Sequence, residues 1–377
     1  MGEKILVTDA NYKHTLGIIR SLGSKSLHVS CGSKYLEHTP ISSYSKYVES
    51  TFFYPDPKKE PYQFSHYLKK ITENNKINII IPVGYEAYSA ISSNRELFKN
   101  YNIPLPDVES FKIAASKIAT VTLANKLNIP APLSIKISSM TDLKDINLNF
   151  PIVVKGLFSS GYVRYAKNSR ELENYVNEIK HLQGEYPIIQ EYIVGAGYGF
   201  FGLFKNGLPR AYFMHKRIRE YPITGGPSTC AQSVYDEKLL EFGFSIMKEL
   251  KWNGVAMVEF KKDKADNKFK IMEINPKFWG SLDLAIASGI DFPYLLYKMI
   301  VDGDVKSIYK YQVGLKYMWP FPDDFKRVIK DVRNTKSFFS DLINPVIEKN
   351  IKMSDLRPNL IQFNSTIRDI IKNRGES

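Results

Sequence analysis

The stretch W-N-G-V-A-M-V-E-F-K-K-D (residues 252–263), followed after a short polar turn by K-F-K-I-M-E-I-N-P-K-F-W-G-S (268–281), decides the fold. It reads as two neighbouring strands, 255–261 carrying Glu259 and 268–275 carrying Glu273 and Asn275. Alternate residues of a strand share a face, so Glu273 and Asn275 project together and Ile274 turns away. Ile271, Met272 and Ile274 place the second strand against a core, and Val255, Ala256, Met257, Val258 and Phe260 do the same for the first. A carboxylate in such a setting is costly unless something pairs with it. Each glutamate alone is most simply a rim carboxylate paired with a lysine. Two carboxylates and an amide oxygen on adjacent buried strands instead form a hard oxygen cage, which suits Mg²⁺ sharing its coordination with phosphate oxygens and water. Lys277 follows two residues after Asn275, a cation where phosphate charge would need one.

The remainder of the chain bounds the reading. At 377 residues it is long enough for two or three domains, and with 44% hydrophobic and 24% charged residues it has an ordinary globular composition. The net charge of +13 is spread rather than clustered. No zinc-finger, basic-zipper or RNA-recognition signature accompanies it, so no nucleic-acid partner is expected and a lysine-rich solvated surface explains the charge. Cys31 and Cys230 are far apart and form neither a zinc motif nor a disulfide framework, which fits a cytoplasmic location. The first residues begin a strand with no signal-peptide core, no apolar run reaches membrane-spanning length, and Leu6 breaks the myristoylation pattern. No membrane partner is expected.

Residues 4–8 (K-I-L-V-T), a helix over 14–22 and a strand over 26–31 read as the opening β-α-β of a parallel sheet without G-x-G-x-x-G. A helix over 62–74 and a buried strand over 77–82 follow. Val83–Gly84–Tyr85–Glu86 then lies at the sheet's C-terminal edge, where Tyr85 and Glu86 either face a ligand or cap the next helix. Residues 107–127 read as one helix, carrying Lys117 and stopped by N-I-P-A-P. F-P-I-V-V-K ends a buried strand in Lys155, which must snorkel or find an anion. The small-residue loop G-L-F-S-S-G-Y (156–162) is no Walker A motif, and reads either as a phosphate nest around Ser160 and Gly161 or as a hairpin turn. A helix over 169–182 and an apolar strand over 186–193 containing Glu191 come next, broken by V-G-A-G-Y-G before a strand resumes at 200–204. On 211–221, Arg217 and Arg219 alternate and are expected to share a face. A helix over 237–250, two helices within 282–300 and a polar, aromatic-rich tail complete the chain.

The strings P-I-V-V-K, I-Q-E-Y-I-x-G, H-K-R-I-R-E-Y-P-x-T-G-G-P-S-T and V-E-F…E-I-N-P-K-F-W-G-S resemble the ATP-grasp superfamily, within it the carbamoyl-phosphate-synthase-like carboxylate–amine ligases. The resemblance runs over roughly residues 1–320. It implies an α/β chain (α+β in the ATP-binding part): an ATP-grasp fold with an N-terminal open parallel-sheet (pre-ATP-grasp) domain. The domains implied are 1–110, then 111–304 with a lid at about 130–195 and a metal-binding part at about 196–304, then a helical appendage over 305–377. The cofactors implied are ATP and Mg²⁺, with Mn²⁺ as an alternative, the metal held by Glu259, Glu273 and Asn275. Lys117, Lys155, Ser160 and Gly161 would meet phosphates. Glu191, Tyr192 and Ile193 would meet adenine. Tyr198 stands about where many relatives carry a ribose-binding carboxylate, so the ribose contact falls to it or to another segment. Arg217 and Lys277 would steady the transferring phosphoryl group. Relatives usually have Arg at the Lys277 position, and some have Arg at Met257, which shifts weight onto Arg217. The activity implied is an ATP-dependent ligase that couples a small-molecule carboxylate to an amine through an acyl phosphate. The alternatives are carboxyphosphate or carbamoyl chemistry and a catalytically silent ATP-binding module. A homodimer is expected by analogy alone.

Overall fold

In a computed structural model, which describes residues 2–35, 38–157, 162–222 and 225–375, three sheets stack around the segment 252–281. The first contains β1 (Lys4–Val7), β2 (His28–Lys34), β3 (Val48–Tyr54) and β4 (Ile79–Ile81) in the order β3-β2-β1-β4, all parallel. The chain passes from β1 to one neighbour and later returns to the other, so the C-terminal ends of β1 and β4 form a switch point with an open crevice. The second contains β5 (Ser134–Lys136), β6 (Ile152–Lys155), β7 (Val163–Ala166) and β8 (Ile188–Glu191), antiparallel in the order β5-β8-β6-β7. The third is the largest: β9 (Gly195–Lys205), β10 (Leu208–Glu220), β11 (Ser228–Ser233), β12 (Gly254–Asp263), β13 (Phe269–Asn275), β14 (Lys316–Met318) and β15 (Glu348–Lys349), ordered β13-β12-β9-β10-β11-β14-β15.

Packing follows from the alternation along these strands. On one face of the large sheet Phe201, Phe213, Val255 and Met257 share a core with Ile5, Val7, Ile79 and Trp279, which fixes the N-terminal sheet against this face. On the other, Phe200, Val258, Phe260 and Ile274 pack on the helix Glu237–Glu249 through Leu239, Ile246 and Met247. The second sheet is covered by the helix Ser169–Gln183. Asn168 caps its start by accepting from Glu171 N at 2.9 Å, and Gly184 ends it with φ of 76°. Leu172, Val176 and Ile179 form its single buried stripe against Ile152, Val154 and Ile189.

Four expectations change. The expected helix over 107–127 is two, Val108–Ala115 and Lys117–Lys126, because Ser116 is extended (φ −95°, ψ 119°) and caps the second through Ala119 N. The break expected at V-G-A-G-Y-G is shorter: β8 ends at Glu191 and β9 already starts at Gly195, where its glycines pair directly with β12. The segment after residue 305 is not purely helical, since β14 pairs with β11 and β15 with β14. Arg217 and Arg219 do not serve one surface: the pairing of β10 with β11 slips between them, breaking the alternation. Arg219 instead joins Asp324, at 2.8 Å and fully buried, and Asp341.

Candidate active site

Residue register brings the two carboxylates together. Glu259 on β12 lies directly opposite Glu273 on β13, and Met257 lies opposite Asn275, so all four face the same way. Like charges opposed across a ladder repel, and each here has an adjacent partner. Arg217 Nη2 donates to Glu259 Oε2 at 2.5 Å, and Asn275 Nδ2 donates to Glu273 Oε1 at 2.9 Å. Burial pushes the Glu273 carboxyl up, but Lys117, the Asn275 amide, Lys155 and Arg217 outweigh it and hold the group below its usual range. Arg217 reaches Glu259 from two strands away because β9 presents Gly197 beneath it; a Cβ there would lie 2.8 Å from Arg217 Cδ.

Three lysines surround the pair. Lys155, at the end of β6, is 9% exposed, and burial lowers it to about 8 against opposing help from Glu273. Among the described residues it has neither an ion pair nor a hydrogen bond from its ammonium. Lys117 is the first residue of its helix, and the break at Ser116 sets that helix on β13; burial lowers its pKa and Glu273 raises it. Lys277 is lowered by burial, opposed by Glu273, Glu86 and Asp9, and has no ion pair among the described residues.

The hinge between the second and third sheets is tied from below. Lys261, on the same face of β12 as Glu259, donates to Ile193 O at 3.2 Å and lies 5.3 Å above the Tyr192 ring. Sequence reading missed Lys261, although its spacing of two from Glu259 was the available signal. Glu191 Oε2 accepts from Leu133 N at 3.2 Å, and Oε1 is 3.7 Å from Lys270 Nζ. Tyr198 departs from the group. It pairs with Phe260 and Lys216, facing away from Glu259, and packs edge-on against Phe269 at 5.1 Å. Ser160 and Gly161 lie outside the described residues, as does Thr224 of the small-residue loop.

The N-terminal sheet closes the other side. Asp9, at the end of β1, accepts from Gly84 N at 2.7 Å and from the Thr8 hydroxyl, and Glu86 is in the first turn of the helix Tyr85–Ser93. Lys13 and His14 open the helix Lys13–Gly23, and Lys13 Nζ donates to Ser228 O at 3.1 Å. Neither was legible as a site residue, because both come from a segment whose only visible pattern was helical.

A family model described as "ATP-grasp in the biosynthetic pathway with Ter operon" matches residues 212–320, which hold Arg217, Glu259, Glu273, Asn275 and Lys277. No curated protein matches the chain. Among solved structures, biotin carboxylase from Campylobacter jejuni superimposes with a TM-score of 0.65 at 15% identity, over 83% of this chain and 74% of that one. N5-carboxyaminoimidazole synthetase from Staphylococcus aureus, solved with ADP, gives 0.64 at 14% identity over 84% and 81%. L-amino acid ligase from Bacillus licheniformis gives 0.60 at 15% identity over 80% and 74%. The chain has the ATP-grasp fold. Within that ATP-grasp frame the donor set at β12 and β13 is all oxygen and suits Mg²⁺ when phosphate and water complete its shell. No cluster of three or more His, Cys, Asp or Glu suited to a metal occurs among the described residues. No helix among the described residues is long and apolar enough to cross a membrane.

Proposed function

We propose that the chain is an ATP-dependent carboxylate–amine ligase, releasing ADP and phosphate as it forms a C–N bond. The observation that carries this reading is the convergence of Glu259, Glu273 and Asn275 with Lys117, Lys155, Arg217 and Lys277 on one face of the large sheet. Bound MgATP supplies the γ-phosphoryl group, with Glu259, Glu273 and Asn275 holding the metal that neutralises its phosphates. Lys117 and Lys155 neutralise the α/β-phosphates from buried positions beside Glu273, where charge interactions are strong. Arg217 and Lys277 hold the carboxylate beside the phosphoryl group and stabilise the acyl phosphate, from which the amine displaces phosphate. Glu191, Tyr192 and Ile193 form the adenine side, fixed by Lys261 and Leu133 N. Tyr198 is left out of this assignment. The same reading divides the chain near residues 110 and 304, with the four-stranded second sheet as the lid.

The decisive test is Mg²⁺-dependent ADP and phosphate release, with carboxylic acids and amino acids added one at a time. Release that requires a particular acid and rises with a particular amine is the expected result. ATP hydrolysis indifferent to every acid, or no ATP binding, overturns the reading.

A further inference from the structure

Several nitrogens near the switch-point crevice are buried and unpartnered. His14 is 7% exposed and its Nε2 has no partner; His215 is 1% exposed and neither ring nitrogen has one; Arg217 Nε is likewise bare. His215 lies on the Glu259 face of the large sheet, opposite Gly199 and Ser233, and its ring packs edge-on to Phe201 at 4.7 Å. His14 lies in the field of Lys277 and Lys13, and Lys13 in that of Arg217. Lys13 also approaches Gly280, where a Cβ would stand 3.2 Å from its Cε. Lys13, His14, Arg217 and Lys277 thus act on one another where the N-terminal sheet meets the large one.

Buried donors without acceptors are rare, and each calls for an occupant. Both histidines are held neutral by burial and by adjacent cations, His215 at about 3. They offer N–H groups without adding charge. Lys13 Nζ has no carboxylate within ion-pair distance among the described residues; its direct contacts are Ser228 O at 3.1 Å and the Trp319 ring at 5.1 Å. Asp323 and Asp283 both act on Lys13, Asp323 the more strongly, and Asp283 also accepts from Trp319 Nε1 at 2.9 Å. Asp9 accepts from Gly84 N and from Thr8 through Oδ2. Arg217 and Lys277 suffice for the carboxylate that is activated, which leaves Lys13, bonded among the described residues only to the Ser228 carbonyl, and His14, with Nε2 bare, to meet a further group.

We propose that this crevice is the acyl-substrate site and that it selects an acid carrying a second anionic oxygen group, held by Lys13 with His14 as the neutral donor beside it. This rests on the ligase reading above and assigns its substrate class: dicarboxylates rather than simple monocarboxylates. Charge-assisted contacts of this kind set the preference: a substrate lacking the second group forgoes the Lys13 contact and leaves the buried His14 Nε2 without a partner.

The test uses the full chain and thermal unfolding, with malonate, succinate and glutarate each compared with the monocarboxylate of equal length and with sulfate at equal ionic strength. MgATP is run in parallel. At least one diacid is expected to raise Tm where its monoacid and sulfate do not. Lys13→Met should abolish that shift and weaken diacid binding about tenfold or more, with the MgATP shift intact. Lys13→Arg should retain most of it. Equal stabilisation by monoacid or sulfate, no shift with any diacid, or a full shift in Lys13→Met overturns the proposal. Loss of the MgATP shift in the unaltered protein would instead count against the ligase reading, so the two failures are distinct. Where a diacid supports turnover, Lys13→Met should raise its KM with KM for ATP unchanged.

Discussion

Lys155 ends a buried strand, and burial lowers it to about 8. Two opposite consequences follow for one residue. In the empty protein its pKa lies below the unfolded value of 10.5, so the folded state sheds its proton first. The penalty for burying the charge is therefore full below pH 8 and is relieved as pH rises from 8 towards 10.5. ATP phosphates favour the charged form, so affinity moves the other way. We expect Kd for MgATP to rise above pH 8, by up to about tenfold per unit. Lys155→Met should bind more weakly and lose that slope. Titrations at pH 7, 8 and 9 check this, and an unchanged slope removes Lys155 from the phosphate site. Glu273→Gln removes charge but little volume, so turnover should fall on the order of 100-fold or more while the thermal midpoint stays close to that of the unaltered protein. Normal ADP release from that variant would refute the metal assignment. That Glu273 and Asn275 share a face was legible from strand alternation alone, whereas Glu259 joins them through the register of β12 with β13. Lys13 and His14 were not legible, since only the tertiary stacking of the N-terminal sheet carries them there.

Elements decide where such side chains can reach. Arg217 is useful to Glu259 only because β9, lying between their strands, is bare at Gly197. Gly197→Val places a branched side chain where Arg217 Cδ now lies. We expect the Arg217–Glu259 pair to be lost, turnover to fall about tenfold or more, and unfolding to remain cooperative. A crystal structure or kinetics of the variant settles it; an unaltered kcat would mean that Arg217 has another route. The glycines of 195–199 were misread as a strand break because glycine is a poor strand former, and their value lies in what they leave open above the sheet. The slip between Arg217 and Arg219 was equally hidden. Strict alternation is the best expectation from sequence, and a bulge depends on the partner strand β11, whose register no local pattern reveals. Likewise Asp107 announced a helix start, but Ser116 was read as an interior residue rather than as a second cap.

The whole molecule is closed by its tail. Residues after 305 add β14 and β15 to the large sheet, place Asp324 and Asp341 on Arg219, and bring Asp355 back to the N-terminal sheet. Asp355 accepts from Arg20 Nε at 2.8 Å, Ser45 Oγ at 2.8 Å and Lys46 N at 2.9 Å, and is itself 4% exposed. None of this was legible, because a lone aspartate in a polar stretch has no pattern and its partners lie at the other end of the chain. The tail thus fastens the N-terminal sheet to the large one, which holds Lys13 and His14 over the Glu259 face. Neutralising Asp355 leaves Arg20 largely buried with a weaker partner, a change that costs about 2–4 kcal/mol. We expect Asp355→Asn to lower the urea midpoint accordingly and to speed hydrogen exchange across 4–54 more than across the lid strands 134–191. Because the crevice needs both sheets, diacid stabilisation should weaken in this variant while MgATP stabilisation, built mainly from the second and third sheets, changes less. Uniform acceleration of exchange in both regions would mean that the tail supports the whole fold rather than the juncture.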